Sequence, residues 1–128
     1  MQSEKKHILF IDDDEKIMKF LYRYLKRRNY EAIGALDGDD AIYKASHYQP
    51  PVMLIDLQMP GMHGLQLARA IKENPETQGI KIIVISGHVD REMRKALTSL
   101  GVEAILEKPF QTDRLLEVIE RLLDKESS

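Results

Sequence analysis

The chain has 128 residues, of which 43% are hydrophobic and 31% are charged, and this size and composition fit one globular domain. It has no cysteine, which excludes a disulfide framework, a thiolate zinc site and a cysteine nucleophile. Lysines and arginines number 19 against 21 aspartates and glutamates, so no basic excess favours direct nucleic-acid binding. Residues 1–7 are polar and no apolar run approaches the roughly 18 residues of a membrane span, so neither a secretion signal nor a membrane association is expected.

The first half of the chain alternates between a strand pattern and a helix pattern. Residues 8–11 form a continuous apolar run, which is typical of a strand covered on both faces. Residues 32–35 predict a weaker strand. A first helix is predicted by apolar residues at helical spacing, namely Ile17, Phe20, Leu21, Tyr24 and Leu25. A second helix is predicted after Gly38 by Ala41, Ile42, Ala45 and Tyr48.

The second half repeats the alternation. Strands are predicted at residues 52–55, 82–85 and 104–106, and the run 82–85 is the most β-branched in the chain. Three more helices are predicted by the sets Gly64, Leu67, Ala68 and Ile71; Met93, Ala96, Leu97 and Leu100; and Leu115, Val118, Ile119 and Leu122. Gly101 is expected to end the fourth helix in a left-handed conformation.

Strict alternation of five strands and five helices predicts an α/β fold with a parallel sheet covered on both faces. The second and fifth strands are the least apolar and therefore belong at the edges. The doubly wound order 2-1-3-4-5 places them there. We expect a single domain over 1–128, ordered from about residue 6 to residue 124, with residues 124–128 fraying and no output domain.

Polar and charged residues follow the predicted strands where each strand ends. They are Asp12, Asp13 and Asp14 after the first, Asp56 after the third, Ser86 and Gly87 after the fourth, and Lys108 and Pro109 after the fifth. Ligands of such sheets bind at the carboxyl ends of the strands, so we expect one shared cleft. Clustered carboxylates repel one another and favour a cation. Mg²⁺ takes carboxylates together with phosphate oxygens, so the pattern indicates a Mg²⁺-assisted phosphoryl site with a carboxylate nucleophile.

Each of these residues also has an ordinary interpretation. Asp14 fits a helix cap, and Asp12 or Asp13 alone fits a cap or helix-dipole partner. Ser86 alone fits a turn, and Lys108 alone fits an exposed surface lysine. Only their joint placement at four strand ends favours the functional interpretation.

Four segments together resemble the receiver domain of bacterial two-component response regulators, the CheY-like fold. They are Ile8-Leu9-Phe10-Ile11-Asp12-Asp13-Asp14, Leu54-Ile55-Asp56-Leu57-Gln58-Met59-Pro60-Gly61-Met62-His63-Gly64, Val84-Ile85-Ser86-Gly87-His88 and Glu107-Lys108-Pro109-Phe110. The resemblance covers essentially the whole chain, in order and without large gaps. The segment Met59-Pro60-Gly61-Met62 after an aspartate is its most specific part.

The resemblance implies roles for individual residues. Asp56 would accept a phosphoryl group from a sensor histidine kinase or a histidine phosphotransfer protein. Mg²⁺ would be held by Asp13, Asp56 and the backbone carbonyl of Gln58, with Asp12 acting through water. Ser86 would donate its hydroxyl to a phosphoryl oxygen, and Lys108 would pair with the phosphoryl charge. The Lys108–Pro109 peptide bond is often cis in this family, and substitutions at Gln58 and His88 would alter the phosphoryl lifetime.

Three residues depart from the family pattern. Ser86 stands where threonine is frequent, His63 stands where aspartate is usual, and Ile105 stands where the family commonly has tyrosine or phenylalanine. An aromatic ring at the last position usually swings inward on activation. We therefore expect switching through the loop and helix after Ser86, without an aromatic gate. His63 is expected to cap or decorate the third helix.

The expected protein is a cytoplasmic signalling switch that catalyses only its own phosphorylation and slow dephosphorylation. The signal would pass through the surface of the fourth helix, fifth strand and fifth helix to a protein target, a detached output domain or a phosphorylation-dependent dimer. That surface carries mixed charges, which a solvated face would also show: Arg91, Glu92, Arg94, Lys95, Glu103 and Arg114.

Three alternatives remain open at the level of sequence. A degenerate receiver would act only as a protein-binding platform. A haloacid-dehalogenase-type phosphatase would use Asp12 as its nucleophile, but Glu15 and Lys16 stand where that family needs Gly-Thr. A flavin- or nucleotide-binding module would need a Gly/Ser/Thr-rich loop after the first strand, where this chain is acidic.

Overall fold

The computed structural model describes residues 6–11, 15–57 and 63–127, excluding the side chains of residues 6, 15, 17 and 125–127. Strands and helices alternate throughout this part of the chain. The strands are β1 (Lys6–Ile11), β2 (Tyr30–Gly34), β3 (Val52–Asp56), β4 (Lys81–Ser86) and β5 (Ala104–Glu107). The helices are α1 (Glu15–Arg27), α2 (Gly38–Tyr48), α3 (Gly64–Glu73), α4 (Arg91–Leu100) and α5 (Thr112–Ser127).

The strands form one parallel sheet in the order β2-β1-β3-β4-β5. This order confirms the predicted doubly wound α/β fold, with the two weaker strands at the edges. β3 is buried along its whole length, as a central strand with helices on both faces must be.

The core consists of two apolar layers, one on each face of the sheet. Leu9 and Met53 point into the layer beneath α2, α3 and α4. Ile8 and Leu54 point into the layer beneath α1 and α5. Successive strand residues face opposite sides, so the unbroken apolar runs of the sequence serve both layers.

Several boundaries and burial predictions need correction. β2 begins two residues before the predicted strand and ends at Gly34, although Ala35 remains buried and its N–H donates to the Phe10 carbonyl at 3.0 Å. Phe20 was expected in the core but is 40% exposed, because Leu21 and Leu25 occupy the centre of the buried face of α1. Tyr48 likewise is 42% exposed at the end of α2.

The helix ends follow the expected chemistry where they are described. Asp90 accepts a hydrogen bond from the Met93 N–H at 2.8 Å and caps α4. Gly101 ends the same helix at φ 92°, as predicted. α5 is helical through Ser127, and the fraying expected from residue 124 stays a prediction. The cap expected at Asp14 lies outside the described residues. No helix in the described ranges is long and apolar enough to cross a membrane.

Candidate functional site at the carboxyl ends of the strands

Asp56 is the last residue of β3 and is only 3% exposed. Its side chain lies where the central strand leaves the sheet, beside the ends of β1 and β4. Lys108, 52 positions later in the chain, donates from Nζ to Asp56 Oδ2 at 3.0 Å. A carboxylate with so little solvent around it depends on nearby positive charge or hydrogen bonds for its stabilisation, and Lys108 supplies part of that stabilisation.

Lys108 is held in place by its own backbone. Its N–H donates to the Ser86 carbonyl at 2.7 Å, which ties the end of β5 to the end of β4. The preceding residue, Glu107, is the register partner of Ser86. The Lys108–Pro109 peptide bond is cis, as the resemblance implies. The lysine side chain therefore extends from a fixed point toward the centre of the sheet edge.

Ser86 is 1% exposed and closes a small ring with the loop that follows it. Its Oγ donates to the His88 carbonyl at 3.0 Å, and the His88 N–H donates back to Oγ at 3.3 Å. The single hydroxyl proton of Ser86 thus serves the β4–α4 loop in this conformation. A new acceptor beside Asp56 would compete with that carbonyl for the same proton.

Gly64 supports the site from behind, at the start of α3. A Cβ at this position would lie 2.6 Å from Leu57 Cα and 2.9 Å from the Asp56 carbonyl oxygen. Both neighbours are backbone atoms, so only glycine allows α3 to approach this closely. The apolar spacing of the sequence places Gly64 on the buried face of α3 but does not predict this contact. A glycine in the first turn of a helix, close after a strand end, is the signal that could have found it.

The structure brings together three of the predicted site residues: Asp56, Ser86 and Lys108. Gly87 and His88 are exposed in the loop after β4. Ile105 is partly buried in β5 and packs against the layer beneath α2, α3 and α4.

Other predicted positions have different outcomes. His63 stands at the cap position of α3, as expected, and its N–H donates to Gln66 Oε1 at 3.2 Å. The predicted residues Asp12, Asp13 and Gln58 lie outside the described residues.

Among the described residues, Asp56 is the predicted Mg²⁺ ligand that lies at this site. Ile11, the end of β1, is the register partner of Ile55, so the chain leaves β1 next to the strand that carries Asp56. A buried carboxylate oxygen is a suitable ligand for a hard divalent cation. The described residues contain no group of three or more histidine, aspartate or glutamate side chains that could hold a metal ion.

Residues 8–120 match the model of the response regulator receiver domain. The chain belongs to the response regulator receiver family. Receiver domains are phospho-acceptor signalling domains of two-component systems rather than classical enzymes.

This receiver domain is similar in sequence to known response regulators. It is 26% identical over 118 residues to the polar-differentiation response regulator DivK of Brucella anthropi, covering 92% of this chain and 96% of DivK. It is 31% identical over 126 residues to the transcriptional regulatory protein ResD of Bacillus subtilis, covering 98% of this chain and 51% of ResD. The receiver domain therefore matches about half of ResD and nearly all of DivK.

Solved structures show the same fold. A response regulator signal receiver domain from Bermanella marisrubri superposes with a TM-score of 0.82 at 35% identity, covering 93% of this chain and 98% of that chain. A CheY-like receiver domain protein from Methanospirillum hungatei gives a TM-score of 0.86 at 29% identity, covering 96% and 97% of the two chains.

Proposed function

We propose that this receiver domain is a phosphorylation-dependent switch and that Asp56 is its phospho-acceptor. The observation that carries the proposal is the buried contact between Asp56 and Lys108 at the meeting point of the central strands. Family membership supports phospho-acceptor chemistry, and this contact favours Asp56 as the acceptor among the described carboxylates.

The transfer would be a displacement at phosphorus. A carboxylate oxygen of Asp56 forms a P–O bond while the P–N bond to the donor imidazole breaks, and the imidazole leaves with the electron pair and takes up a proton. Such reactions depend mostly on positioning and on neutralisation of charge. The Lys108 ammonium, already 3.0 Å from Asp56, would remain beside the added phosphoryl charge.

The expected metal is Mg²⁺. Asp56, Asp13 and the Gln58 carbonyl would hold it, with Asp12 acting through water. When bound, the cation neutralises phosphoryl oxygens and orients the transferring group. The described part of the site contributes the carboxylate of Asp56 to this set.

Phosphorylation would change the loop after Ser86. The phosphoryl group adds about −1.5 to −2 charge and offers strong acceptors for the Ser86 hydroxyl. If the Ser86 hydroxyl donates to a phosphoryl oxygen instead, its hydrogen bond to the His88 carbonyl is lost, and the start of the β4–α4 loop is released. Because Ile105 has no aromatic ring to swing, the loop and α4 would carry the change to the α4–β5–α5 surface.

The direct test is phosphorylation with Mg²⁺ and a small phosphodonor such as acetyl phosphate. Wild type should gain one phosphoryl group by mass spectrometry, and Asp56→Asn should gain none. Asp39→Asn, which removes an exposed carboxylate on α2, is the matched control and should be phosphorylated normally. Phosphorylation on Asp12 instead would support the phosphatase alternative. The proposal would be contradicted if Asp56→Asn is phosphorylated as wild type is, or if wild type gains no phosphoryl group.

The switch has a separate test. Amide spectra recorded with and without a phosphoryl mimic should differ in residues 88–97. Spectra that stay unchanged there would refute signalling through this loop.

Gln58 and His88 are proposed to set the lifetime of the phosphoryl group. Substitution of either residue should change the rate of dephosphorylation while the protein still becomes phosphorylated. Decay rates equal to wild type in both variants would be evidence against this role.

A further inference from the structure

Helix α2 presents an outward stripe of three side chains to solvent. Asp39, Tyr43 and His47 follow one another at a spacing of four residues, so they share one helical face. All three are exposed, and Tyr43 is 64% exposed. The inward face of the helix is buried through Ala41 and Ala45. We call Asp39, Tyr43 and His47 the α2 stripe, which is about 12 Å long at about 1.5 Å per residue.

The α2 stripe has an acidic end, an aromatic centre and an imidazole end. Asp39 lies in the first turn of α2 and His47 in the last turn. Tyr43 stands at the midpoint, and its ring stacks on the His47 ring with 5.8 Å between centroids and 5° between planes. The two rings form one flat, exposed surface. Tyrosine rings are enriched in the cores of protein–protein interfaces.

The polar groups at the two ends of the α2 stripe are not neutralised within the domain. The neighbouring carboxylate, Asp40, pairs with Lys44 at 2.9 Å. Asp39 and His47 form no ion pair with any charged side chain in the described ranges. The carboxylate of Asp39 is therefore available to a hydrogen-bond donor of another molecule.

The order of these groups is self-complementary under a twofold rotation. If a second α2 packs antiparallel with the two Tyr43 residues at the axis, the equal spacing on either side brings each Asp39 next to His47 of the other copy. Side chains four residues apart form the ridges by which helices most often pack, crossing at about 50°. An imidazole N–H donates to a carboxylate in either protonation state, so the same contact forms twice in one dimer.

This mixed pattern favours a second copy over other occupants. A surface of uniform negative charge, such as a membrane or a nucleic acid, would face the carboxylate of Asp39 as well as the imidazole of His47. A partner that satisfies both ends must present a donor and an acceptor at the same separation in reverse order. A second copy of α2 meets that requirement by symmetry alone.

We propose that the α2 stripe is a twofold contact between two copies of this domain, with paired Tyr43 rings at its centre and an Asp39–His47 hydrogen bond on each side. Leu36, which is 90% exposed just before α2, would add an apolar side chain at each end. One face of an 11-residue helix is smaller than the roughly 1,200–2,000 Å² of a stable complex, so we expect a weak, reversible dimer. The contact does not involve Asp56, so this proposal and the proposed phosphorylation can fail separately.

Sedimentation velocity of the unphosphorylated protein over a range of concentrations tests the contact. The sedimentation coefficient of wild type should rise with concentration. His47→Glu places two carboxylates against each other on both sides of the axis and should weaken association about tenfold or more. Asp39→Lys/His47→Glu restores opposite charges at both contacts and should return association to the wild-type level or above.

The matched control is Ser99→Glu, which adds one carboxylate at an exposed position in the last turn of α4. It should associate as wild type does, and circular dichroism should show that every variant is folded. The proposal is overturned if wild type stays monomeric at all concentrations, or if His47→Glu and Ser99→Glu weaken association equally. A folded double variant that does not regain association would also overturn it.

Discussion

Asp56 and Lys108 form an ion pair in which the carboxylate is buried. Asp56 is 3% exposed while Lys108 retains 29% exposure, so the carboxylate is desolvated more than the ammonium. Removing one member of such a pair costs more than the pair contributes, since the remaining charge is left poorly solvated. A positive charge next to Asp56 therefore stabilises the folded state.

A double-mutant cycle measures the coupling free energy between Asp56 and Lys108. We expect Lys108→Gln to lower the free energy of unfolding by about 1–3 kcal/mol, because it leaves the Asp56 carboxylate without that ammonium. In the Asp56→Asn background the same change should cost much less, giving a coupling of about 1 kcal/mol or more. Urea unfolding in the presence of EDTA measures all four proteins. Equal costs in the two backgrounds would show that the contact is not energetically coupled.

Asp40, on the first turn of α2, gives stability a dependence on pH. The Leu36 N–H donates to its carboxylate at 2.9 Å and Lys44 Nζ lies 2.9 Å from the same oxygen. First the backbone hydrogen bond and then the lysine hold the pKa of Asp40 below its ordinary value. A lowered folded-state pKa means that the stabilisation is present above the ordinary aspartate pKa of about 4 and is lost as pH falls through the folded-state pKa.

The expected result is that Asp40→Asn is less stable than wild type near neutral pH and that the difference shrinks in acid. Unfolding curves at several pH values measure the difference. Asp39→Asn, one position earlier and exposed, should keep the wild-type pH dependence. A difference between Asp40→Asn and wild type that stays constant down to the lowest pH would contradict the assignment.

At the scale of elements, the site depends on how closely α3 approaches the end of β3. Gly64 permits that approach, and its N–H also lies 3.4 Å from the Leu57 carbonyl. The Leu57 N–H, just after β3, donates to the Ile85 carbonyl of β4 at 3.0 Å and ties the ends of these two strands together. These backbone contacts set the position of Asp56 against β4.

Gly64→Ala should therefore destabilise the domain by about 1–3 kcal/mol or more, because its methyl group would press on backbone atoms that cannot rotate away. The variant should also accept a phosphoryl group more slowly. Gly79→Ala is the control, since a Cβ there meets nothing within 4 Å, and it should be neutral or stabilising by up to about 1 kcal/mol. Thermal unfolding of both variants decides the matter, and equal stabilities would show that the close approach is unimportant.

At the scale of the whole molecule, one sheet separates the two apolar layers that the described residues form. Leu67 of α3 is fully buried in one layer, and Ile119 of α5 is fully buried in the other. Both layers rest on the same five strands. Loss of either layer would expose one face of the sheet, so the domain should unfold as a single unit.

Leu67→Ala and Ile119→Ala should each lower the free energy of unfolding by about 2–5 kcal/mol. In each variant, circular dichroism and tyrosine fluorescence should report the same midpoint. Two separate transitions in either variant would mean that the layers unfold independently.

The sequence by itself determined the elements, their order in the sheet and the candidate site residues. Apolar periodicity reflects the geometry of strands and helices, which is local, so the alternation from residue 8 onward was readable. The residues at strand ends were also readable, because parallel strands share one carboxyl edge. The roles of Asp56, Ser86 and Lys108 came from the resemblance and remain predictions.

Only the tertiary structure decided the distances between these residues and the surfaces they leave exposed. The contact between Asp56 and Lys108 spans 52 positions, and the ring between Ser86 and His88 depends on how the loop turns. Phe20 has the spacing of a core residue but lies at the rim, because the neighbouring elements cover only part of the apolar face of α1. Local pattern fixes which side of a helix is apolar, whereas packing against other elements fixes how much of that side is buried.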